Sequence, residues 1–205
     1  MDNPKKPSGA RRQRNRANTE AALIVAGRAA FSQVGYNAST TRAIAAEVGC
    51  SDALIQNYFG GKEGLLDAVL RAEGSVAVMV ERFTARPAAV SLAAEVDATV
   101  RFVMATLQRG VANVRILMER ALSDAEFKGR FLAATPREQI CRGLAARLAR
   151  DWPAVSNPVV AAELTVSLSF EFGFVHSELL CRDADETEQL VALTIPILVA
   201  GILSN

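Results

Sequence analysis

The sequence predicts an all-α protein of about nine helices. Apolar residues recur at steps of three and four through most of its 205 residues, and no stretch alternates apolar with polar residues as a half-buried strand would. Glycine, proline and short polar residues separate the periodic segments, for example at residues 49–51, 60–61 and 86–87. Half of the residues are hydrophobic, which is enough to bury a sizeable core.

The N-terminal segment is basic and polar. Residues 1–16 are rich in Pro, Lys and Arg, a composition that predicts a disordered arm. Residues 1–71 contain ten Lys and Arg against six Asp and Glu, whereas the remainder contains thirteen against sixteen. A polyanionic partner would therefore prefer the N-terminal third. The arm is either a solvated tail or a segment that meets DNA phosphates or enters a minor groove.

The first helix is predicted from residue 22 onward. Leu23, Phe31 and Val34 share one helical face with the alanines between them, and Gly35 follows directly. A glycine at this position suits the left-handed conformation that ends many helices.

Residues 41–60 fit the physical requirements of a helix-turn-helix. Ala45 is small enough for a second helix to cross closely, and Gly49 tolerates the positive φ that the turn needs. Thr40 and Ser51 are suited to cap the first and the second helix. Apolar residues fall where the shared core requires them: Ile44, Val48, Cys50, Ile55 and Tyr58.

With its flanks, this segment resembles the N-terminal signature of the TetR family of transcriptional regulators. The resemblance implies a helix-turn-helix DNA-binding domain over residues 17–66, with the motif at about 40–59, and a helical effector-binding and dimerisation domain over residues 67–205. Repression of transcription is the family's usual activity. The residues that carry the resemblance are Phe31, Gly35, Tyr36, Thr40, Ile44, Ala45, Gly49, Ser51, Ile55, Tyr58, Phe59, Lys62, Glu63, Leu65 and Leu66.

We expect the recognition helix, about residues 52–59, to lie in the major groove of a near-palindromic double-stranded DNA operator. Gln56 departs from the family, which usually has an aromatic residue there. Because Gln pairs bidentately with adenine, we expect a different operator sequence. The expected phosphate contacts are Thr40, Thr41, Arg42, Tyr58 and Lys62, and the residues near the bases are Ser51, Asp52, Ala53, Leu54, Gln56 and Asn57.

The last two predicted helices, about residues 158–182 and 190–203, are apolar nearly all round. A helix that is apolar on all sides has to be covered on all sides, and a second copy of the chain would cover it. The sequence therefore predicts a homodimer with a four-helix interface, as the resemblance also implies. The expected interface residues are Leu164, Leu168, Phe172, Val175, Leu179, Leu190, Leu193, Ile197 and Gly201.

Large, soft side chains in the middle and later helices are either ordinary core or the wall of a cavity for a small apolar or amphipathic effector. They are Met79, Phe83, Phe102, Met104, Met118, Phe127, Phe131, Phe170 and Phe174. A second hypothesis is a DNA-binding protein of this fold that a protein partner regulates, without an effector. A third is an enzyme or carrier with a vestigial DNA domain, which no catalytic motif supports.

Other classes of site find little support. The three cysteines have no Cys-x-x-Cys spacing, and His176, the single histidine, with scattered acids makes a poor metal site. We therefore expect no cofactor, no metal and no catalytic residues. The most apolar stretch, residues 190–203, is shorter than the roughly 20 residues of a membrane span. These observations favour a cytoplasmic protein that does not enter a membrane.

Overall fold

The computed structural model describes residues 9–72, 76–134 and 136–204, with side chains from residue 13 onward except at 73–77 and 130–135. Within these ranges the chain forms eleven α-helices and one π-helical segment and contains no strand, so the all-α prediction is confirmed. The helices are α1 (Gly9–Val34), α2 (Thr41–Val48), α3 (Ala53–Phe59), α4 (Lys62–Arg71), α5 (Val76–Thr84), α6 (Leu92–Arg109), α7 (Val111–Ser123), α8 (Ala125–Ala134), α9 (Pro136–Asp151), α10 (Pro158–Phe170) and α11 (Ala184–Leu203).

The number of helices exceeds the roughly nine predicted, and one of the additional breaks carries no glycine or proline. Asp124 separates α7 from α8, and its carboxylate accepts a hydrogen bond from the Phe127 amide at 2.9 Å. This bond satisfies one of the unpaired amides at the start of α8. A single capping aspartate is a weaker signal in a sequence than a glycine pair.

α1 begins earlier than the sequence predicts. Residues 9–16, predicted as part of a disordered arm, form the first two turns of this helix, and residues 1–8 lie outside the described part of the chain. Ala and Arg are strong helix formers, and lengthening an existing helix adds a hydrogen bond per residue without a new nucleation step. The basic residues of this segment therefore lie on a helix instead of a disordered arm.

The first of two compact units contains α1 to α4 together with Ala112–Lys128, which covers most of α7 and the start of α8. Gly27 lies where α1 meets α4, and a Cβ there would stand 3.1 Å from Cδ2 of Leu65, so the glycine permits close packing. All four N-terminal helices and α7 contribute to the core of this unit, which includes Leu23, Phe31, Ile44, Ile55, Leu65, Leu66, Val69 and Ile116.

The second compact unit contains α5, α6, the end of α8 and the elements from α9 onward. α10 packs against both α6 and α9. The carboxylate of Glu95, on the buried face of α6, accepts hydrogen bonds from Arg86 at 3.1 Å and from Arg147 at 3.2 Å. These ion pairs tie the loop after α5 and helix α9 to α6.

The π-helical segment Glu171–Leu179 continues directly from α10. The sequence predicts one α-helix over residues 158–182, with Phe172 on the same exposed stripe as Leu164. Phe172 is instead buried within the protomer, beside the ring of His176. Because π-helical hydrogen bonds span five residues, the four-residue spacing of the stripe does not continue through this segment, and the dimer contact at Phe172 stays a prediction.

Two helices are long and apolar enough to cross a membrane by length and composition alone, Pro158–Leu179 and Ala184–Leu203. By apolar composition alone, residues 190–203 stand out most in the sequence, a stretch shorter than α11. α11 begins earlier, where the Asp183 carboxylate accepts a hydrogen bond from the Glu186 amide at 2.7 Å. Val166 and Val191 of these helices are buried in the core of the second unit. A core helix of a globular protein meets the same criterion of length and composition.

Candidate nucleic-acid interface

The turn between α2 and α3 has the geometry that the sequence predicts. The Thr40 side chain accepts a hydrogen bond from the Ala43 amide at 3.2 Å, and so caps α2. Gly49 has a φ of 73°, and the Cys50 amide donates to the Ala45 carbonyl at 2.9 Å. Ala45 itself is 1% exposed, as expected for the crossing point of two helices.

The start of α3 differs from the prediction. Asp52 instead of Ser51 occupies the cap position, and its side chain makes no capping hydrogen bond. The helix starts through backbone bonds, from the Leu54 amide to the Ser51 carbonyl at 3.1 Å and from the Ile55 amide to the Asp52 carbonyl at 3.0 Å. Asp52 already has helical torsion angles, so the helical backbone begins one residue after Ser51, the predicted cap.

α3 presents a polar outer surface over one buried anchor. Ile55 is fully buried and fixes the helix to the core of the first unit. Leu54 is half-buried, less exposed than the sequence predicts. The other residues predicted to face bases are all exposed: Ser51, Asp52, Ala53, Gln56 and Asn57. An exposed row of short polar side chains at the start of a helix is what contact with base edges in a major groove requires.

The predicted phosphate contacts surround this surface. Thr40 and Arg42 are exposed, whereas Thr41, Tyr58 and Lys62 are half-buried. α4 begins at Lys62, and the glycine before it carries no side chain that could cap the first amides. Such a helix start is suited to an anion, because its amide groups point outward.

Tyr36 joins Lys62 to a helix that is distant in the sequence. The Lys62 ammonium lies 4.4 Å from the centroid of the Tyr36 ring and donates to the Asn37 carbonyl at 3.4 Å. The Arg120 guanidinium of α7 lies 4.6 Å from the same centroid, and the Tyr36 amide donates to the Glu119 carboxylate at 3.1 Å. α7 therefore helps to position the loop between α1 and α2.

The charges around Tyr36 also shift proton affinities. Burial lowers the pKa of Lys62, and the neighbouring Arg120 lowers it further, while Glu119 opposes the shift. Burial raises the pKa of Tyr36 against the effect of Arg120. Sequence reasoning missed Glu119 and Arg120, because a contact between residues about 80 positions apart leaves no periodic pattern.

The predicted dimer residues divide into two groups. Leu164, Leu179, Leu193, Ile197 and Gly201 are exposed, which leaves apolar side chains in water on α10, at the end of the π-helical segment and on α11. Leu168, Val175 and Leu190 are half-buried, and Phe172 is buried. A groove of about 330 Å³ is lined by Val160, Leu164, Ile197, Gly201 and neighbouring residues.

The predicted effector residues also fall into separate groups. Met118 and Phe127 belong to the first compact unit, and the side chain of Phe131 lies outside the described residues. In the second unit, one aromatic pair is Phe83 with Phe102, with ring centroids 5.5 Å apart. The other pair is Phe170 with Phe174, at 5.2 Å. Met104 is buried and Met79 is half-buried at the edge of the same core.

His176 is buried in the π-helical segment. Its Nε2 atom lies 3.8 Å from the Glu171 carboxylate, and its Nδ1 atom has no hydrogen-bond partner in the described chain. A buried histidine ordinarily has both ring nitrogens hydrogen-bonded, so this orphaned nitrogen is unexpected. No group of three His, Cys, Asp or Glu residues suited to a metal ion occurs among the described residues.

Comparison with known proteins identifies the helix-turn-helix. Residues 23–69 match the family model described as bacterial regulatory proteins, tetR family. The HTH-type transcriptional regulator BetI 2 of Chromohalobacter salexigens is 47% identical to this chain over 49 residues. That match covers 24% of this chain and 24% of BetI 2, so it spans about a quarter of the relative's length.

Solved structures with a similar fold match most of the chain, beyond the residues that the family model covers. A regulatory protein in the tetR family from Rhodococcus RHA1 matches with a TM-score of 0.66 at 19% identity, over 90% of this chain and 96% of that one. GusR of Salmonella enterica gives 0.64 at 18%, over 92% and 96%. NalD of Pseudomonas aeruginosa, described as a secondary repressor of a multidrug efflux pump, gives 0.63 at 18%, over 88% and 96%. At these identities the likeness is one of fold.

Proposed function

We propose, on the premise that this chain belongs to the tetR family of bacterial regulatory proteins, that it is a dimeric repressor of transcription that a small molecule releases from DNA. The geometry between α2 and α3 carries the proposal. The motif consists of a capped first helix, a glycine turn and a second helix with an exposed polar surface. This arrangement is suited to placing the second helix in the major groove. The description of NalD as a repressor supports repression, instead of activation, of transcription.

Under this proposal, separate parts of the chain bind DNA and bind the effector. Helices α1 to α4, which include residues 17–66, bind the operator, and the second compact unit, which forms most of residues 67–205, provides effector binding and dimerisation in a cytoplasmic protein. The exposed apolar face of α10 and α11 supports dimerisation, because a monomer would leave residues such as Leu193 and Ile197, at 67% and 73% exposure, in water. A dimer would present two recognition helices to the half-sites of a palindrome.

The orphaned Nδ1 atom of His176 supports an effector in the second unit. A buried polar atom without a partner costs about 1–3 kcal/mol, and a ligand that supplies the missing hydrogen bond recovers it. The Phe172 ring beside His176, and the Phe170–Phe174 pair in the adjoining turns, favour an apolar body on such a ligand. A π-helical segment is also a common feature of functional sites.

Selection of bound DNA from a random pool, at two salt concentrations, tests the DNA-binding part of the proposal. We expect a near-palindromic sequence to be recovered, and recovery of no sequence at either salt concentration would refute DNA binding. Small molecules can then be screened for release of the selected DNA. Persistent binding in the presence of every compound class, apolar and polar alike, would favour the alternative of regulation by a protein partner.

A charge-removal pair tests the geometry of the interface. Lys62→Ala should weaken binding to every sequence and reduce the slope of log K against log salt by about 0.9, the value for one phosphate. Lys128→Ala removes the same charge from an exposed site on α8 in the same unit, and should leave the slope unchanged. Equal slopes for the two variants would refute a phosphate contact at Lys62.

A further inference from the structure

The N-terminal turns of α1 lie beside the recognition helix. The guanidinium carbon of Arg16 stands 4.9 Å from the centroid of the Tyr58 ring, which α3 presents. Arg16 is exposed, and among the described residues it forms no ion pair with a carboxylate. An exposed cation on an aromatic face is worth about 0.5–1 kcal/mol, so the contact restricts the position of Arg16 while no carboxylate of the described chain neutralises its charge.

A guanidinium group that stacks on a ring keeps its N–H donors available for hydrogen bonds. Arg stacks through its flat face, whereas its five N–H donors point outward in the plane. A stacked Arg therefore keeps its edge for a bidentate hydrogen bond to a phosphate. Because the ring already restricts the side chain, less rotamer entropy is lost when the phosphate binds.

The ring itself is held from the other side. Tyr58 is half-buried, packs edge-on to Phe59 at 6.3 Å and borders a groove that Glu20 and Ile24 of α1 also line. Tyr58 is thus a fixed platform that faces the same partner as the exposed surface of α3. Arg16 is placed at the edge of that surface by α1, and not by a disordered arm.

We propose that Arg16 is a DNA-backbone contact that the Tyr58 ring holds in a binding-ready position, an inference that rests on the DNA-binding function proposed above. The partner is a phosphate of the operator beside the one that Tyr58 contacts. The contact strengthens binding to all operator sequences equally, because phosphates carry no sequence information.

Arg14 provides a matched control on the same helix. It carries the same charge and is also exposed, but it lies two residues away, which is about 200° around the helix. No aromatic ring of the described chain stacks on it. Removing Arg14 changes the net charge as much as removing Arg16 does, without disturbing the platform.

The experiment measures affinity for the selected operator over a range of salt concentrations, with the full-length protein. Arg16→Ala should weaken binding by about tenfold at low salt, the effect of one charge-assisted hydrogen bond, and reduce the salt slope by about 0.9. Arg14→Ala should produce less than half of the change in slope. Arg16→Lys should restore the slope but only part of the affinity, because an ammonium lacks the planar face and the bidentate edge.

A double-mutant cycle tests the platform. Tyr58→Phe keeps the ring, so Arg16→Ala should have its full effect in that background. Tyr58→Leu removes the ring, so the effect of Arg16→Ala should shrink by at least half. Melting curves show whether each variant is folded, and exposed Arg16 variants should melt as the wild type does.

The outcomes separate this inference from the proposed function. If the wild type recovers no operator, the proposed function fails and the inference fails with it. If the wild type binds but Arg16→Ala and Arg14→Ala shift the slope equally, the inference alone is overturned. An effect of Arg16→Ala that is undiminished in the Tyr58→Leu background would overturn the platform role.

Discussion

Replacing Glu95 with Gln tests whether a buried ion network holds the second compact unit together. The Glu95 side chain is 1% exposed and accepts hydrogen bonds from two arginines and a backbone amide. Arg86 donates at 3.1 Å, Arg147 donates at 3.2 and 3.4 Å, and the Ala89 amide donates at 3.3 Å. Gln removes the negative charge and replaces one acceptor oxygen with an NH₂ group that faces donors.

The expected loss in free energy of unfolding follows from the two ion pairs that Glu95 forms with Arg86 and Arg147. Each pair of charges at about 4 Å is worth about 4 kcal/mol at an effective dielectric constant of 20. The variant also no longer desolvates a carboxylate, which recovers several kcal/mol. Burial lowers the pKa of Arg86 and the Glu95 carboxylate opposes that shift, so the Arg86 guanidinium becomes costlier to keep charged without it. The net loss expected on breaking a buried pair in this way is about 3–5 kcal/mol.

The assay is urea unfolding followed by circular dichroism, with Glu188→Gln as the control. Glu188 also pairs with an arginine, Arg101, at 2.5 Å, but both side chains are about half exposed. Solvent screens that pair, so its loss should cost less than about 1 kcal/mol. A free energy of unfolding for Glu95→Gln within about 1 kcal/mol of the Glu188→Gln value would refute the reasoning.

Four further predictions concern single sites. Gly35→Ala should destabilise the protein by at least about 1 kcal/mol more than Gly49→Ala. Both glycines have positive φ, but a Cβ at Gly35 would stand 2.5 Å from the Glu119 carboxylate, whereas nothing lies within 4 Å at Gly49; equal losses in urea unfolding would count against this packing. Leu193→Asp should convert the dimer to a monomer in sedimentation experiments, and Val25→Asp, at a similar 69% exposure in the first unit, should leave the dimer intact. Burial raises the pKa of the Cys141 thiol to about 11, and Glu163 adds to the shift. A thiol reagent at pH 8 should therefore label the exposed Cys181 at once and Cys141 only after unfolding. Because the folded pKa is raised, the stability that Cys141 contributes is complete below its ordinary pKa near 9 and is lost as the pH rises towards 11. Gln56→Ala should relax base preference at one operator position by about 1–3 kcal/mol without altering the salt slope, and an unchanged preference would remove Gln56 from the base-reading set.

The helix-turn-helix could be predicted because its determinants are local. Thr40 caps α2 from three residues away, and Gly49 adopts positive φ within the turn that it forms. Such features depend on the identity and spacing of a few adjacent residues, which a sequence states directly. The predicted cap at Ser51 is also a local feature, but Asp52 has helical torsion angles and occupies the cap position of α3 instead.

The side chains that join distant segments could not be predicted in the same way. Tyr36 meets Glu119, and Arg16 meets Tyr58, through contacts that depend on how the helices are arranged in space. Glu95 left a usable signal, because it lies three residues after Leu92 on the otherwise apolar face of α6. A charged residue in such a stripe predicts a buried partner, although the sequence does not identify Arg86 and Arg147 as that partner.

The π-helical segment changes the proposed dimer face in a way that periodicity alone could not. Up to Phe170 the chain is α-helical, and Leu164 on this part of the helix is exposed. Beyond it Phe172 is buried in the core, whereas Leu179 at the end of the π-helical segment and Leu193 and Ile197 of α11 are exposed. The groove between the start of α10 and the end of α11 is apolar, open and bordered by Leu164 and Ile197, as an interface built from paired helices of two copies requires. The interface that we propose is therefore centred on α11 and the first half of α10, and Leu193 lies on it, whereas a substitution at Phe172 would act on the protomer core.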